Sequence, residues 1–232
     1  MPTDDPPPPW ARPPGDGRPA IRTIGPQRGR LLPGHAAAIE RFWDRYVVPV
    51  DDAAVRAAGA VVDVAMGDGA TTVALAEASP DVLHVAVDVH RPGIAQLLRA
   101  LDERSIGNVV VVEGDVWDLL PRLPAAALAA VQCCFPDPWP KRRHQRRRLV
   151  APAWVAEVAR VLAPAGELRL ATDWPDYAEQ MRAAVVGCQA LSFVAADDGW
   201  SPRFGGRPVT TYERRGLAAG RPARDVRATR LS

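Results

Sequence analysis

The stretch from Phe135 to Arg148, FPDPWPKRRHQRRR, gathers the side chains best suited to chemistry in this chain. Asp137 stands between Pro136 and Pro138, Trp139 and Pro140 follow, and then come Lys141, Arg142, Arg143, Arg146, Arg147 and Arg148. Proline fixes φ and pushes the residue before it towards extended backbone, so Asp137 and Trp139 are expected on a stiff loop with little conformational entropy left to lose. A carboxylate among so many cations is out of place on a surface that grips a polyanion unless it has its own task, such as accepting hydrogen bonds from a base edge. The cations are then the expected phosphate contacts. The plainer alternative is a solvated charge run at a helix start. It accounts for the cations but not for the proline-framed Asp137 and Trp139. Lys141 is the only lysine of the chain, a choice that favours a compact ammonium at that point.

A second set of acids lies upstream. VVDVAMGDGATT places Gly67 and Gly69 in a turn between an apolar run and a helical pattern, where glycine lets backbone approach a ligand closely. The spacing is not the G-x-G-x-x-G of a dinucleotide pyrophosphate site. Asp63 lies within the apolar run itself, and a buried carboxylate needs a partner; a ligand ammonium supplies one. Asp88 closes the next apolar run, where a carboxylate can accept from ribose hydroxyls, and Asp115 follows the third in VVVVEGDVWDLL, placed to meet the polar edge of an adenine. One carboxylate at each of three strand ends suits a nucleoside carrying an amino acid, namely S-adenosylmethionine. Helix N-capping is the alternative for Asp68 and Asp115.

The elements that must position these groups alternate along the chain. Residues 60–65, 83–88, 109–113, 127–135 and 167–172 are apolar runs of strand length. Helical patterns over 71–78, 92–103, 116–123 and 152–162 separate them, and another covers 175–187. Such βαβα alternation predicts a parallel sheet with helices on both faces, binding its ligand at the carboxyl ends of the strands. Beyond it come a strand-like piece at 192–196, a Gly/Pro-rich loop and a last strand-like piece at 209–214. Residues 1–20 are proline-rich and expected to be disordered. Residues 21–58 read as a basic extension with a helix from about His35 to Tyr46, and residues 59–232 as the α/β domain with an Arg-rich tail.

Composition agrees with a soluble α/β protein: 232 residues, 47% hydrophobic and a net charge of only +2. No membrane span or signal peptide is expected, so the expected location is cytoplasmic. Cys133, Cys134 and Cys188 have no metal-ligand spacing and read as reduced core residues; no metal is expected. Charge is uneven, with arginines in 141–148 and again from Arg203 to Arg230, and a locally basic face on a nearly neutral protein is compatible with RNA binding.

FPDPWPKRRHQRRR, together with LATDWPDYAEQM (170–181) and RPVTTYERRG (207–216), resembles the bacterial tRNA (guanine-N7-)-methyltransferases, the TrmB family. The similarity runs from about Ile21 to about Asp225, with three motifs in the same order. The resemblance implies a class I methyltransferase (Rossmann-like) fold with a mostly parallel seven-stranded sheet. It also implies S-adenosylmethionine as methyl donor and tRNA as partner, with the guanine at conventional position 46 of the variable loop as target. Carried over, Asp63, Asp88, Asp115 and Asp137 are the expected cofactor-pocket acids, joined by Gly67 from the glycine turn, and Asp137 is also the expected catalytic residue. Lys141, Asp173, Thr210, Thr211, Tyr212 and Glu213 are expected at the substrate, and Arg142, Arg143, Arg146, Arg147 and Arg148 at RNA phosphates, helped by the Arg-rich tail and by Arg28. The chain departs from the family in having Asp63 and Asp88 where Glu is usual and Ala65 where Gly is usual.

Guanine N7 already carries a lone pair, so the expected mechanism is alignment and electrostatics rather than a strong general base. Asp137 and Asp173, with Glu213 sharing the work, are expected to bind N1–H and the N2 amino group of a flipped-out guanine, and Trp139 or Trp174 to stack on it. Two other readings stay open on the sequence: a class I methyltransferase for another RNA or a small molecule, and a catalytically decayed RNA-binding protein. Whether the chain acts as a monomer or homodimer is open as well.

Overall fold

The computed structural model describes residues 31–232; the proline-rich segment and Arg22, Arg28 and Arg30 lie outside the described residues. Seven strands form one sheet: β1 (Val61–Val64), β2 (His84–Asp88), β3 (Val109–Glu113), β4 (Leu128–Cys134), β5 (Leu162–Thr172), β6 (Leu191–Val194) and β7 (Arg224–Arg230). Their order is β3-β2-β1-β4-β5-β7-β6. The first five pair in parallel, and β7 inserts antiparallel between β5 and β6. The order reverses between β1 and β4, and the crevice outside their carboxyl ends is where such sheets take ligands.

The helices are α1 (Pro33–Tyr46), α2 (Val50–Arg56), α3 (Ala70–Ala78), α4 (Arg91–Glu103), α5 (Val116–Leu119), α6 (Pro152–Val161), α7 (Pro175–Val186) and α8 (Thr211–Ala218). One face of the sheet is apolar from edge to edge: Val110, Val85, Val62, Val131, Leu168 and Ala228 lie in register. It packs on α2, α5, α6 and α7 through residues such as Ala53, Leu119, Trp154, Val158, Tyr177 and Met181. On the other face α1, α3 and α4 cover β2 and β3, with Ile94, Leu97 and Leu98 against Ala86 and Val111. The register then turns polar, running from Asp63 through Gln132 and Arg169 to Arg227. Polar groups on a covered sheet face need partners. The segment before α8 brings some, with Phe204 under the Arg169 guanidinium at 5.4 Å.

Two expectations are corrected here. The piece at 209–214 is not a strand but the start of α8, because Thr210 and Glu213 stand in a T-x-x-E capping relation and the Thr210 hydroxyl accepts from the Glu213 amide at 3.2 Å. The Arg-rich tail, read without a strand of its own, ends in β7. Val226 and Ala228 face the core, with Arg224 and Arg230 on the same face at the two ends of the strand, where Arg230 donates to the carbonyls of Ala159 and Ala190, while Arg227 points to the other face and pairs with Glu167. Period-2 alternation marks a half-buried strand whatever the outward residue is. The described part of the N-terminal extension docks on the domain: Val48 donates to the Val111 carbonyl at 2.9 Å, and α1 packs along α4.

Candidate active site

A cleft of about 250 Å³ opens at the carboxyl ends of β1, β2 and β4. Its wall on the β1 and β2 side carries Asp63, Ala65, Gly67, Asp88 and His90; the β4 loop brings Phe135, Asp137 and Trp139; Thr210 and Tyr212 close the top. Three of these elements meet only because the strand order reverses there.

The β1–α3 turn is built for close approach. Gly67 and Gly69 have φ of +63° and +77°, and a side chain at Gly67 would press on the Tyr212 ring at 3.1 Å. Ala65 takes φ of +54°, a left-handed conformation that costs an L-residue roughly 1–2 kcal/mol. Gly93 lets the start of α4 sit against the Gly67 carbonyl, where a Cβ would come within 2.1 Å.

Among the described residues, Asp63, Asp88 and Asp115 have no salt-bridge partner. Asp63 accepts the Thr72 hydroxyl at 2.6 Å, and burial pushes its carboxyl up to about 6 against the opposing pull of that hydrogen bond. Next to it in β4, Gln132 is fully buried and its amide makes no well-formed hydrogen bond. Asp88 accepts from the backbone amides of Gly67 (3.0 Å) and His90 (2.9 Å), yet desolvation outweighs them and raises it too. Asp115 is buried at the end of β3. One of its oxygens caps α5, accepting from Trp117 at 3.0 Å, and the other has no partner. It is both the N-cap and an acceptor left over, so the two sequence-level alternatives for Asp115 are not exclusive. A buried unpaired carboxylate oxygen, a buried acid without a counter-ion and a glycine turn fit a nucleoside that carries hydroxyls, an adenine amino group and an ammonium.

On the opposite wall Asp137 is exposed to the cleft and has no hydrogen-bond or salt-bridge partner among the described residues. The walls crowd it enough that desolvation raises its carboxyl, with His90 pulling the other way. The loop that carries it is strained, with Phe135 at φ +56° and Trp139 at +41°. Outliers of this kind persist where surrounding contacts over-determine them. The contacts are visible: Arg147 stacks on Trp139 at 4.9 Å, His144 meets the indole edge-on at 5.8 Å, and Arg148 donates to the Pro138 carbonyl at 2.7 Å.

The arginine run divides on this point. Lys141, Arg142, Arg143 and Arg146 are exposed on a 3₁₀ turn beside the cleft mouth, and Arg147 is exposed while lining the cleft. Arg148 is not a phosphate contact. It is buried, donates to Asp176 at 2.7 Å and Gln180 at 3.1 Å, and lies on the Tyr177 ring at 4.7 Å, because the turn ends by pointing its last residue at α7.

Three residues expected at the base are engaged by other groups in this structure. Glu213 is buried, with both oxygens held by Arg203 and Arg207. Asp173 accepts from Arg221 at 2.9 Å and packs so closely on α8 that a Cβ at Gly216 would lie 2.6 Å from it; it does not line the cleft. Trp174 packs on the core under Arg221. Of the expected substrate segment, Thr210 caps α8 at the cleft edge, Thr211 accepts from Arg214 at 3.1 Å outside the cleft, and Tyr212 reaches into it. Tyr212 is half-exposed, and its hydroxyl is raised by desolvation and by Asp68, Asp88 and Asp137. Sequence reasoning missed Arg203 and Arg207. The T-x-x-E box, which fixes Glu213 in the first turn of a helix, is the signal that could have led to them.

Among the described residues no group of three His, Cys, Asp or Glu is placed to hold a metal, and no helix is long and apolar enough to cross a membrane. A family model described as a putative methyltransferase matches residues 57–226. The chain is 38% identical to a tRNA (guanine-N(7)-)-methyltransferase from Alkalilimnicola ehrlichii, covering 90% of this chain and 92% of that protein. It is also 38% identical to one from Nitrosococcus oceani, covering 88% of each. Among solved structures, an rRNA methylase from Streptococcus thermophilus aligns over 79% of this chain and 92% of that one, with a TM-score of 0.51 and 14% identity, a likeness of fold.

Proposed function

The chain belongs to the tRNA (guanine-N7-)-methyltransferase family, and from that premise we propose how its cleft moves a methyl group from S-adenosylmethionine to N7 of a guanine in tRNA. When bound, the cofactor supplies an electrophilic methyl on a sulfonium. Asp63 would pair with its ammonium, Asp88 would accept from the ribose hydroxyls, Asp115 would meet the adenine amino group with its unpartnered oxygen, and Gly67 would bring backbone against it.

Guanine N7 attacks with its own lone pair, so the protein has to align the base and balance charge rather than remove a proton. Asp137 would accept from N1–H and the N2 amino group on the Watson–Crick edge, which leaves N7 facing the methyl, and its carboxylate would offset the positive charge that develops on the ring. Trp139 and Tyr212 border the same space and would sandwich the base. Lys141, Arg142, Arg143 and Arg146 would hold phosphates around the extruded nucleotide, with Arg147 at the rim. The target is the variable-loop guanine at conventional position 46.

The observation that carries this reading is the unpartnered Asp137 facing the cleft lined by Asp63 and Asp88. Labelled methyl transfer to unmodified tRNA, with the product position mapped and guanine compared with adenine in the variable loop, tests it. Methylation at another position, or equal transfer to both bases, would remove the assigned target.

A further inference from the structure

We propose that Arg207 is a positioning residue for methyl transfer: buried between two carboxylates, it holds the cleft wall carrying Tyr212 in fixed relation to the loop carrying Asp137. This inference rests on the function proposed above and extends it to a residue that touches neither cofactor nor base.

The Arg207 side chain has no exposed surface. One terminal nitrogen donates to Glu213 at 2.8 Å and the other to Asp225 at 2.8 Å, so a single guanidinium ties the first turn of α8 to β7. Its plane also lies on the Phe135 ring at 5.5 Å, at the root of the loop that presents Asp137. Arg203 completes the cage, donating to both Glu213 oxygens and to the Arg207 carbonyl at 2.9–3.1 Å. Glu213 follows Tyr212 directly, and Thr210, two residues before Tyr212, caps the same turn. The aromatic wall over Gly67 is therefore held from behind by an ion-pair network anchored in the sheet. Only arginine offers a planar fork that spans two carboxylates while stacking on an aromatic ring. Desolvation of charges on this scale is justified by geometry rather than by net stability, and the geometry fixed is that of two walls converging on one base.

The test compares Arg207→Met, Arg207→Lys and Glu213→Gln with the wild type, using tRNA that carries either guanine or hypoxanthine at the target position. Hypoxanthine lacks only the exocyclic N2 amino group. Turnover at saturating tRNA and cofactor is expected to fall about 10²-fold in Arg207→Met and at least about tenfold in Glu213→Gln, equally for both bases, while calorimetric S-adenosylmethionine affinity shifts less than about threefold. Arg207→Lys, which keeps the charge and one carboxylate partner, is expected to recover part of the loss. Glu213→Gln leaves the Arg207–Asp225 pair intact and carries the test where Arg207→Met fails to fold. Folded variants with wild-type turnover would reduce the network to a structural role and overturn the proposal. So would a Glu213→Gln variant whose defect is confined to guanine, which would make Glu213 a base reader. A wild-type protein that leaves tRNA unmethylated would instead defeat the proposed function itself.

Discussion

The regions on the two sides of the cleft treat their acids in opposite ways. On the β1–β3 side, Asp63, Asp88 and Asp115 are held by a hydroxyl or by backbone amides and have no salt-bridge partner among the described residues. On the side of β5, β7, α7 and α8, Glu213, Asp225, Asp173 and Asp176 are each paired with an arginine. Asp137 belongs by position to the second side and by chemistry to the first. An acid already bound to arginine acts as a brace, whereas an acid kept without a cation retains acceptor capacity for a ligand. Burial without a counter-ion is expensive, and where it survives in a cleft it points to a site.

The contrast can be broken at its strongest point by Asp137→Ala. Methyl transfer is expected to fall about 10³-fold while tRNA affinity is retained, measured by labelled methyl transfer and filter binding; an unchanged rate would erase the distinction between unpaired and paired acids. Arg148→Met tests a brace. It should lower unfolding free energy by about 3 kcal/mol in urea denaturation, because Pro138, Gln180 and Asp176 all forfeit their donor, and leave the salt dependence of tRNA binding alone.

Asp63 sharpens the contrast through pH. Its folded pKa is raised to about 6 from 3.8. Its contribution to stability is therefore fully present below the unfolded value and is lost as pH rises through about 6, as the carboxyl ionises unpaired beside Thr72, Gln132 and Asp88. A cationic ligand prefers the ionised form, so S-adenosylmethionine affinity should rise about tenfold between pH 5 and pH 7, and Asp63→Asn should flatten that rise in calorimetry. A flat wild-type profile would deny Asp63 the ammonium. Removing charge at Arg142 and Arg146 should weaken tRNA binding and reduce the slope of log K against log salt by about 0.7–0.9 for each phosphate that is no longer neutralised. An unchanged slope would place the phosphates elsewhere. The smallest effect expected is from Ala65→Gly, which relieves a left-handed alanine and should gain at most about 1 kcal/mol, the relief being partly offset by the greater freedom of glycine in the unfolded chain. Reduced stability would mean that the Ala65 methyl contributes packing that outweighs its strain.

Much of this was legible from residues alone. The five parallel strands and the helices between them follow from apolar runs alternating with amphipathic ones, and the strand-end acids and the proline-framed Asp137 follow from residue type and spacing. The structure departs from the sequence reading where one residue type serves two purposes. Arg148 closes a run of exposed cations and reads like its neighbours until the 3₁₀ turn directs it at α7. Arg224, Arg227 and Arg230 look like a basic tail until Val226 and Ala228 are recognised as the buried centre of a strand, with Arg224 and Arg230 at its ends and Arg227 on its other face. Glu213 and Asp173 match substrate motifs, yet the carboxylates that would serve a base are held by Arg203, Arg207 and Arg221.

Local order and the set of chemically capable side chains were determined by the sequence, because periodicity, proline and glycine act over a few residues. Which acids remain unpaired was decided only by the tertiary structure. Partners such as Arg207 and Asp225, or Arg221 and Asp173, stand 18 and 48 residues apart, and a charge is either neutralised or left available according to what the fold brings within about 3 Å of it.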